Sequence, residues 1–296
     1  MEKEIFDKLK KAGKIAAEAR EYGAKMIKPG AFTLDIVEAV ERKIIQLGGK
    51  LACPVNFSIN DIAAHWTPQL NDKTEIKEND FVKLDIGTHV DGYIGDTAVT
   101  IKAGVEKDSL IICSEKMLTE ALKMFKPGTT IGEIGEKIQN VAKEFKLNPV
   151  RNLTGHSLGQ FDLHAGAVIP NIKTDDKYQL REDEVYACEP FCTPGNGFVK
   201  DSGIAQIFRW IKDVPTRGQE ARKVLEMSKN EFLRLPFAKR WIQQSISPIR
   251  AELAIKELTN AKALYQYFPL REISNGMVSQ SEHTIIVKEK PIITTL

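Results

Sequence analysis

Acidic residues inside strand-like segments are the first sign of chemistry in this 296-residue chain. Asp85 lies in Phe81-Val82-Lys83-Leu84-Asp85-Ile86, and Asp96 lies in the segment from Tyr93 to Ile101. Asp91-Gly92 between them is a turn signal, so the two segments read as a β-hairpin. A turn about Val90-Asp91 sets the two carboxylates directly opposite. A turn about Asp91-Gly92 makes them diagonal neighbours on one face. The apolar neighbours Leu84, Ile86, Ile94 and Ala98 argue that this face is buried. Two buried carboxylates that close repel, and a metal ion between them is the usual remedy.

An internal repeat adds two more acids. Met26-x-Lys28-Pro29-Gly30 with Asp35-Ile36 recurs as Met124-x-Lys126-Pro127-Gly128 with Glu133-Ile134, an offset of 98. The stretch from Lys77 to Asp85 recurs from Arg181 to Glu189, an offset of 104, and Asp96-Thr97-Ala98-Val99-Thr100-Ile101 resembles Glu282-His283-Thr284-Ile285-Ile286-Val287. Each half therefore reads as helix, Lys-Pro-Gly turn, helix, strand with an acid, strand with an acid. A pseudo-twofold axis between the halves would bring Asp85, Asp96, Glu189 and Glu282 together. Four acids in one site call for metal, and oxygen-rich ligation suits Mn, Fe, Co or Zn. With one histidine added, the set suits two carboxylate-bridged ions, an arrangement used for hydrolysis. The chain has five histidines. His89 and His283 read as structural, and in a strand His283 faces away from Glu282. The residues alone do not choose among His65, His156 and His164.

The elements that must position these groups follow from periodicity. Ile5, Leu9, Ala12, Ala16, Ala19, Tyr22 and Met26 mark a first helix, stopped at Lys28-Pro29-Gly30. A second helix runs from about Leu34 to Leu47 with Thr33 as N-cap. A third covers about 108–125 and a fourth runs to about Phe145. Glu189 and Glu282 are 93 residues apart where the first half has 11. Val224, Leu225, Phe232, Leu233, Trp241, Ile242, Leu253, Ile255 and Leu258 give most of that extra length a helical pattern, which reads as an inserted subdomain. The chain is 42% hydrophobic and 28% charged with a net charge of +2, so disorder is excluded and no broad field favours nucleic acid or membrane. Cys53, Cys113, Cys188 and Cys192 form no disulfide framework and read as buried thiols; a zinc site from Cys188 and Cys192 is the weaker reading. With no signal peptide and no long apolar run, the expectation is a cytoplasmic protein.

The set Asp85, Asp96, His156, Glu189 and Glu282 resembles the ligand set of methionine aminopeptidases. Leu84-Asp85-Ile86-Gly87, Gly95-Asp96-Thr97-Ala98, Gly155-His156-Ser157-Leu158-Gly159 and Glu189-Pro190-Phe191 carry the resemblance. The insertion and Ala63-Ala64-His65-Trp66-Thr67-Pro68 point to the type 2 branch, archaeal in kind because the charged extension of eukaryotic members is lacking. The resemblance implies an α+β pita-bread fold: two pseudo-twofold-related halves around a central antiparallel sheet. Residues 1–205 and 268–296 would form the catalytic domain and 206–267 an inserted helical, winged-helix-like subdomain. It implies two divalent ions, with Asp85 on one, His156 and Glu189 on the other, and Asp96 and Glu282 bridging. A hydroxide between them would attack the scissile carbonyl of an N-terminal methionine, preferentially before a small uncharged residue. Glu189 would shuttle protons, His164 would stabilise the oxyanion, and His65 would contact the scissile amide.

By the same resemblance the partners are N-termini of nascent polypeptides, with transient ribosome association, no membrane, no specific nucleic acid and a monomeric state. Cys53 stands in the methionine pocket where this branch usually carries an aromatic residue. That implies a wider pocket or compensation by Phe57 or Trp66. Tyr267 matches a pocket tyrosine. Lys239-Arg240-Trp241 reads as a solvated basic face over a packed aromatic. Two alternatives share the fold. An X-Pro dipeptidase would need a further N-terminal domain, whereas only about 27 residues precede the first Lys-Pro-Gly. A non-enzymatic binding relative would lack ligands that are all present here.

Overall fold

Two helix pairs and two sheets alternate along the chain in the computed structural model, which describes residues 1–296. α1 (Lys3–Ala24) and α2 (Thr33–Gln46) precede a four-stranded antiparallel sheet of Lys50–Leu51, Asn56–Ile59, Phe81–Val90 and Tyr93–Lys102. α3 (Ser109–Leu122) and α4 (Ile131–Glu144) precede a five-stranded sheet of Thr154–Ser157, Val168–Pro170, Val185–Cys188, His283–Ile286 and Ile292–Ile293. Each helix pair lays an apolar stripe on its own sheet. Ile15, Ala19, Ile36, Val40 and Ile44 meet Val82, Leu84 and Ile86. Met117, Leu118, Ile134, Ile138 and Val141 meet Ile169, Tyr186 and Ile285. Each buried Ile or Leu stabilises this packing by roughly 1.5–3 kcal/mol. The stripe of α1 ends before Tyr22, which is 41% exposed.

The repeat extends to the backbone. Gly30 and Gly128 both take left-handed φ, at 85° and 87°, and their amides donate to the equivalent carbonyls of Ile76 and Leu180. Asn79 and Asp183 match in the same way, with φ of 68° and 73°. One repeat position corrects the sequence expectation. Thr33 is already inside α2, whose N-cap is Phe32 with no side-chain bond, and Thr33 Oγ1 is buried without a partner. The equivalent of Phe32 is Thr130, which closes a full capping box with Glu133. Thr33 therefore stands one residue too late to cap.

The two sheets meet along strands Tyr93–Lys102 and 279–286. Ala98 and Glu282 exchange backbone hydrogen bonds of 3.3 and 3.1 Å. On either side threonine hydroxyls replace the ladder. Asp96 N–H donates to Thr284 Oγ1 at 2.7 Å and that hydroxyl donates to Asp96 O at 2.9 Å. Thr100 Oγ1 likewise donates to Gln280 O at 2.7 Å and accepts from Gln280 N–H at 2.8 Å.

Residues 207–267 contain α5 (Gln219–Asn230), α6 (Lys239–Ser245) and α7 (Pro248–Asn260). They also contain a three-stranded sheet of Ile207–Trp210, Phe237–Ala238 and Leu264–Tyr267, which the helical periodicity did not reveal. Val224, Ile242, Ile255 and Leu258 form its core with Phe208, Phe237 and Leu264. Leu233 and Leu253, two of the apolar residues that gave this stretch its helical pattern, are exposed. The basic triplet is also corrected: Lys239 and Arg240 are buried rather than solvated. Lys239 pairs with Glu252. Arg240, 1% exposed, pairs with Glu41 of α2 and donates to Thr67 Oγ1 at 2.8 Å and Pro68 O at 3.3 Å. Trp241 Nε1 donates to Glu41 Oε2 at 3.0 Å. The inserted segment is thus fastened to the segment that carries His65.

Candidate metal centre

The register of the joined sheets lines up the acids. Asp85 pairs with Ala98 and Gly87 with Asp96, so the turn lies at Asp91-Gly92 and the two aspartates are diagonal neighbours. Across the seam Ala98 pairs with Glu282. On the far side Cys188 pairs with His283, which brings Glu189 beside Glu282. One row thus reads Asn56, Asp85, Ala98, Glu282, Glu189, with Asp96 adjacent. Cross-strand partners share a face. The methyl of Ala98 in mid-row leaves room for the carboxylates on both sides. Gly87 leaves room too: a Cβ there would stand 2.7 Å from Cys53 Sγ and 3.4 Å from Asp96 Oδ1.

These groups line a cavity of about 300 Å³ whose walls include Cys53, His65, His164, Phe191 and Tyr267. All nine sequence candidates are among its lining residues. A larger groove of about 710 Å³ lies elsewhere, beside Arg20, Leu118, Leu122 and His283, but holds no comparable ligand cluster. His156 Nε2 is 3.3 Å from Glu189 Oε1 and 3.9 Å from Asp96 Oδ2. Ligand atoms of Asp96, His156 and Glu282 lie within 4.8 Å of one another, as one ion would require.

Electrostatically the cluster is unfinished. Burial, then Glu189, pushes the Asp85 carboxyl up to about 7. Burial pushes Glu189 up to about 8. Asp96 and Glu282 are raised well above the ordinary range by burial and by the neighbouring acids. Asp96 Oδ1 and Glu282 Oε2 are buried with no hydrogen-bond partner. Histidine aside, no cationic side chain forms an ion pair with them. Unpartnered oxygens on two buried acids, with two further carboxyls and one imidazole beside them, fit a divalent cation. Burial also lowers His156 to about 4, which keeps its imidazole neutral.

The outer wall is built from histidines and a tyrosine. His65 is held at a left-handed φ of 62° between Ala64, paired with Leu270, and Trp66 and Thr67, whose carbonyl and hydroxyl bond Phe57 N–H and Val55 O. Such a conformation is unusual for a side chain with a Cβ and is kept here by the pinned neighbours. The His65 ring meets Tyr267 edge-on at 5.3 Å, and the His164 ring lies 4.4 Å from that of His156. Burial lowers His65 to about 4 and His164 to about 3. Phe57 and Trp66 pack on the first-half core instead of the cavity, so neither replaces the bulk missing at Cys53. The four cysteines are buried free thiols, and none joins the cluster of ligand atoms. His89 Nδ1 accepts from Gly92 N–H, and His283 Nδ1 lies 2.8 Å from Thr295 Oγ1.

Sequence reasoning missed Gln280. Its Nε2 lies 3.3 Å from Asp85 Oδ2 and 3.4 Å from Glu189 Oε2, bridging acids of the two halves. The signal was available: two residues before Glu282 in a strand, it shares that residue's face. Asn56, opposite Asp85, was missed for want of a motif around it.

The chain is similar to known proteins over nearly its whole length. The profile of metallopeptidase family M24 matches residues 7–289. The methionine aminopeptidase of Pyrococcus abyssi is 45% identical over 290 residues, covering 98% of each chain. Among solved structures, a thermophilic Arx1 is similar with a TM-score of 0.89 at 18% identity, covering 99% of this chain and 91% of that one. A methionine aminopeptidase from Thermotoga maritima is similar with a TM-score of 0.73 at 23% identity, covering 100% and 98%. The two structural likenesses speak for the fold alone.

Proposed function

The chain belongs to metallopeptidase family M24 and to its type 2 methionine aminopeptidases, metal-dependent hydrolases of N-terminal methionine, and from this premise we propose how its residues divide the work. Asp85, Asp96, His156, Glu189 and Glu282 would hold two divalent ions, Co, Mn, Fe or Zn. Bound there, the ions would supply Lewis-acid polarisation and a water acidified toward neutrality. Glu189, on the His156 side of the row, would take the proton of the attacking water and pass it to the leaving amine. His164, neutral and at the cavity rim, would donate to the developing oxyanion. His65, fixed by Thr67 and by the Arg240 anchor, would contact the scissile amide. The free amine of the substrate would meet the acids, which is why the reaction is confined to chain ends. Cys53 and Tyr267 would border the methionine side chain. The division into 1–205 plus 268–296 and an inserted 206–267, a monomeric state and action on nascent chains at the ribosome belong to the same proposal.

The row of acids, with unpartnered oxygens on buried Asp96 and Glu282, carries this reading. Its test is methionine release from Met-Ala-Ser by metal-stripped protein after adding back Mn, Co, Fe or Zn, with Gly-Pro and Ala-Ala-Ser in parallel. Metal-dependent cleavage of the methionine peptide alone is expected. Cleavage of Gly-Pro in its place would make the enzyme an X-Pro dipeptidase. No cleavage with any metal would favour a binding role.

A further inference from the structure

The sheet of the inserted segment has two unlike faces. Phe208 and Leu264 pack into that segment's own core, with Trp210 against it. The alternate residues Ile207 and Tyr267 are a cross-strand pair and both line the catalytic cavity. The next pair on the same face is Arg209 and Tyr265. Exposure rises along this face: Ile207 is 3% exposed, Arg209 is half-buried, and Tyr265 is 52% exposed with its ring edge-on to Tyr267 at 4.9 Å. The face is therefore a strip that starts at the cavity wall and runs out to solvent.

Arg209 is the unspent group on this strip. It takes part in no ion pair, and its Nε is buried without a hydrogen-bond partner. Its charge is felt at Tyr267 on the cavity wall, where it opposes the upward push of burial by more than the charge of Asp162 adds to it. Among the residues around the cavity Asp96 and Glu282 are buried whereas His164 and Tyr265 are exposed, so a polypeptide whose amine sits at the acids leaves on the side of His164 and Tyr265. An extended chain advances about 3.4 Å per residue, so one following the strip from Ile207 to Arg209 covers two residues.

We infer that Arg209, with Tyr265 beside it, forms a subsite for the third and fourth residues of the substrate and favours acidic side chains there. This rests on the peptidase reading above and adds a preference beyond the methionine and the residue that follows it. An exposed or half-buried charge pair is worth up to about 1 kcal/mol, roughly fivefold, and replacing attraction with repulsion widens the gap.

The test uses the full-length, metal-loaded protein with Met-Ala-Glu-Glu-Ser, Met-Ala-Gln-Gln-Ser and Met-Ala-Lys-Lys-Ser. Because kcat/KM is compared between peptides on one protein, a general loss of activity in a variant cancels. The wild type should prefer the Glu-Glu over the Lys-Lys peptide about tenfold at low ionic strength. That ratio should shrink toward one in about 1 M salt, where the Debye length is about 3 Å. Arg209→Gln should bring the ratio near one, Arg209→Lys should keep most of it, and Arg209→Glu should invert it. A wild-type ratio near one, or a ratio unchanged in Arg209→Gln, overturns the subsite. Failure of the wild type to cleave any of the three peptides would overturn the peptidase reading itself, and the subsite with it.

Discussion

Glu272 and Glu282 are both buried, at 0% and 1% exposure, and are held in opposite ways. Around Glu272, Gly197 N–H donates at 3.1 Å, Ser274 N–H and Oγ each at 2.7 Å, and Gly276 N–H at 2.9 Å. Burial pushes its carboxyl up, but these donors outweigh burial and hold it below the usual value. Glu282 has an oxygen with no donor, three other acids around it, and a carboxyl raised well above the usual value. The sequence spends its own N–H groups on the first acid, which stabilises two loops. It leaves the second unfinished, and the deficit is what a cation fills. A buried carboxylate marks function only when the protein has not satisfied it.

The largest effect that would sharpen this contrast is Asp96→Asn. Removing a carboxylate from the cluster should lower kcat/KM for Met-Ala-Ser by about a thousandfold. The metal-free fold should keep or gain stability, because Asn resembles the protonated acid that burial already favours there. Activity within tenfold of wild type, or a marked drop in the melting temperature of the metal-free protein, would break the comparison. Glu272→Ala should do the reverse at smaller size. It leaves four donors without their acceptor, but two belong to the exposed Ser274 and only Gly197 N–H is buried, so urea denaturation should show a loss of about 1–2 kcal/mol. Kinetic constants of the folded fraction should stay near wild type.

Much of the site was legible because period-two alternation and the repeat both act on backbone position. Asp85, Asp96, Glu189 and Glu282 had to share a face once their strands were paired, and matching left-handed turns at Gly30 and Gly128 tie that repeat to backbone geometry. What stayed hidden depended on partners distant in sequence. Arg240 could not be read as buried, because its counter-ion Glu41 lies on α2 and its acceptors lie beside His65. The three-stranded sheet of the inserted segment escaped for the same reason: its strands are short, and Ile207–Trp210 pairs with Leu264–Tyr267 across three intervening helices. Phe57 could not replace the missing bulk at Cys53, because alternation turns it away from Asn56 and into the first-half core.

The last effect, gradual in pH, reads both kinds of acid at once. In the metal-free protein Asp85 and Glu189 sit at about 7 and about 8, above their unfolded values, so the folded state binds more protons than the unfolded state across that interval. Their contribution to stability is complete below about pH 4 and is lost as pH rises through 7 and 8. One excess proton corresponds to about 1.4 kcal/mol per pH unit. Glu272 has the opposite sign: lowered in the fold, it contributes above the unfolded carboxylate value and is lost only as pH falls further into acid. The histidines, lowered in the fold, carry the opposite sign as pH rises toward their unfolded value, so the acids are read by difference: in urea denaturation of the metal-free proteins between pH 5 and pH 8, the stability of the wild type relative to Glu189→Gln should decline with pH. Adding the cation should abolish or reverse the slope of that difference, since the ligands are then ionised in the fold and protons compete with metal. Glu272→Ala should leave the slope between pH 5 and pH 8 unchanged while lowering the whole curve. A difference from Glu189→Gln that stays flat with pH would mean that the acids of the row are already compensated from within the chain, and the distinction between the two sites would collapse.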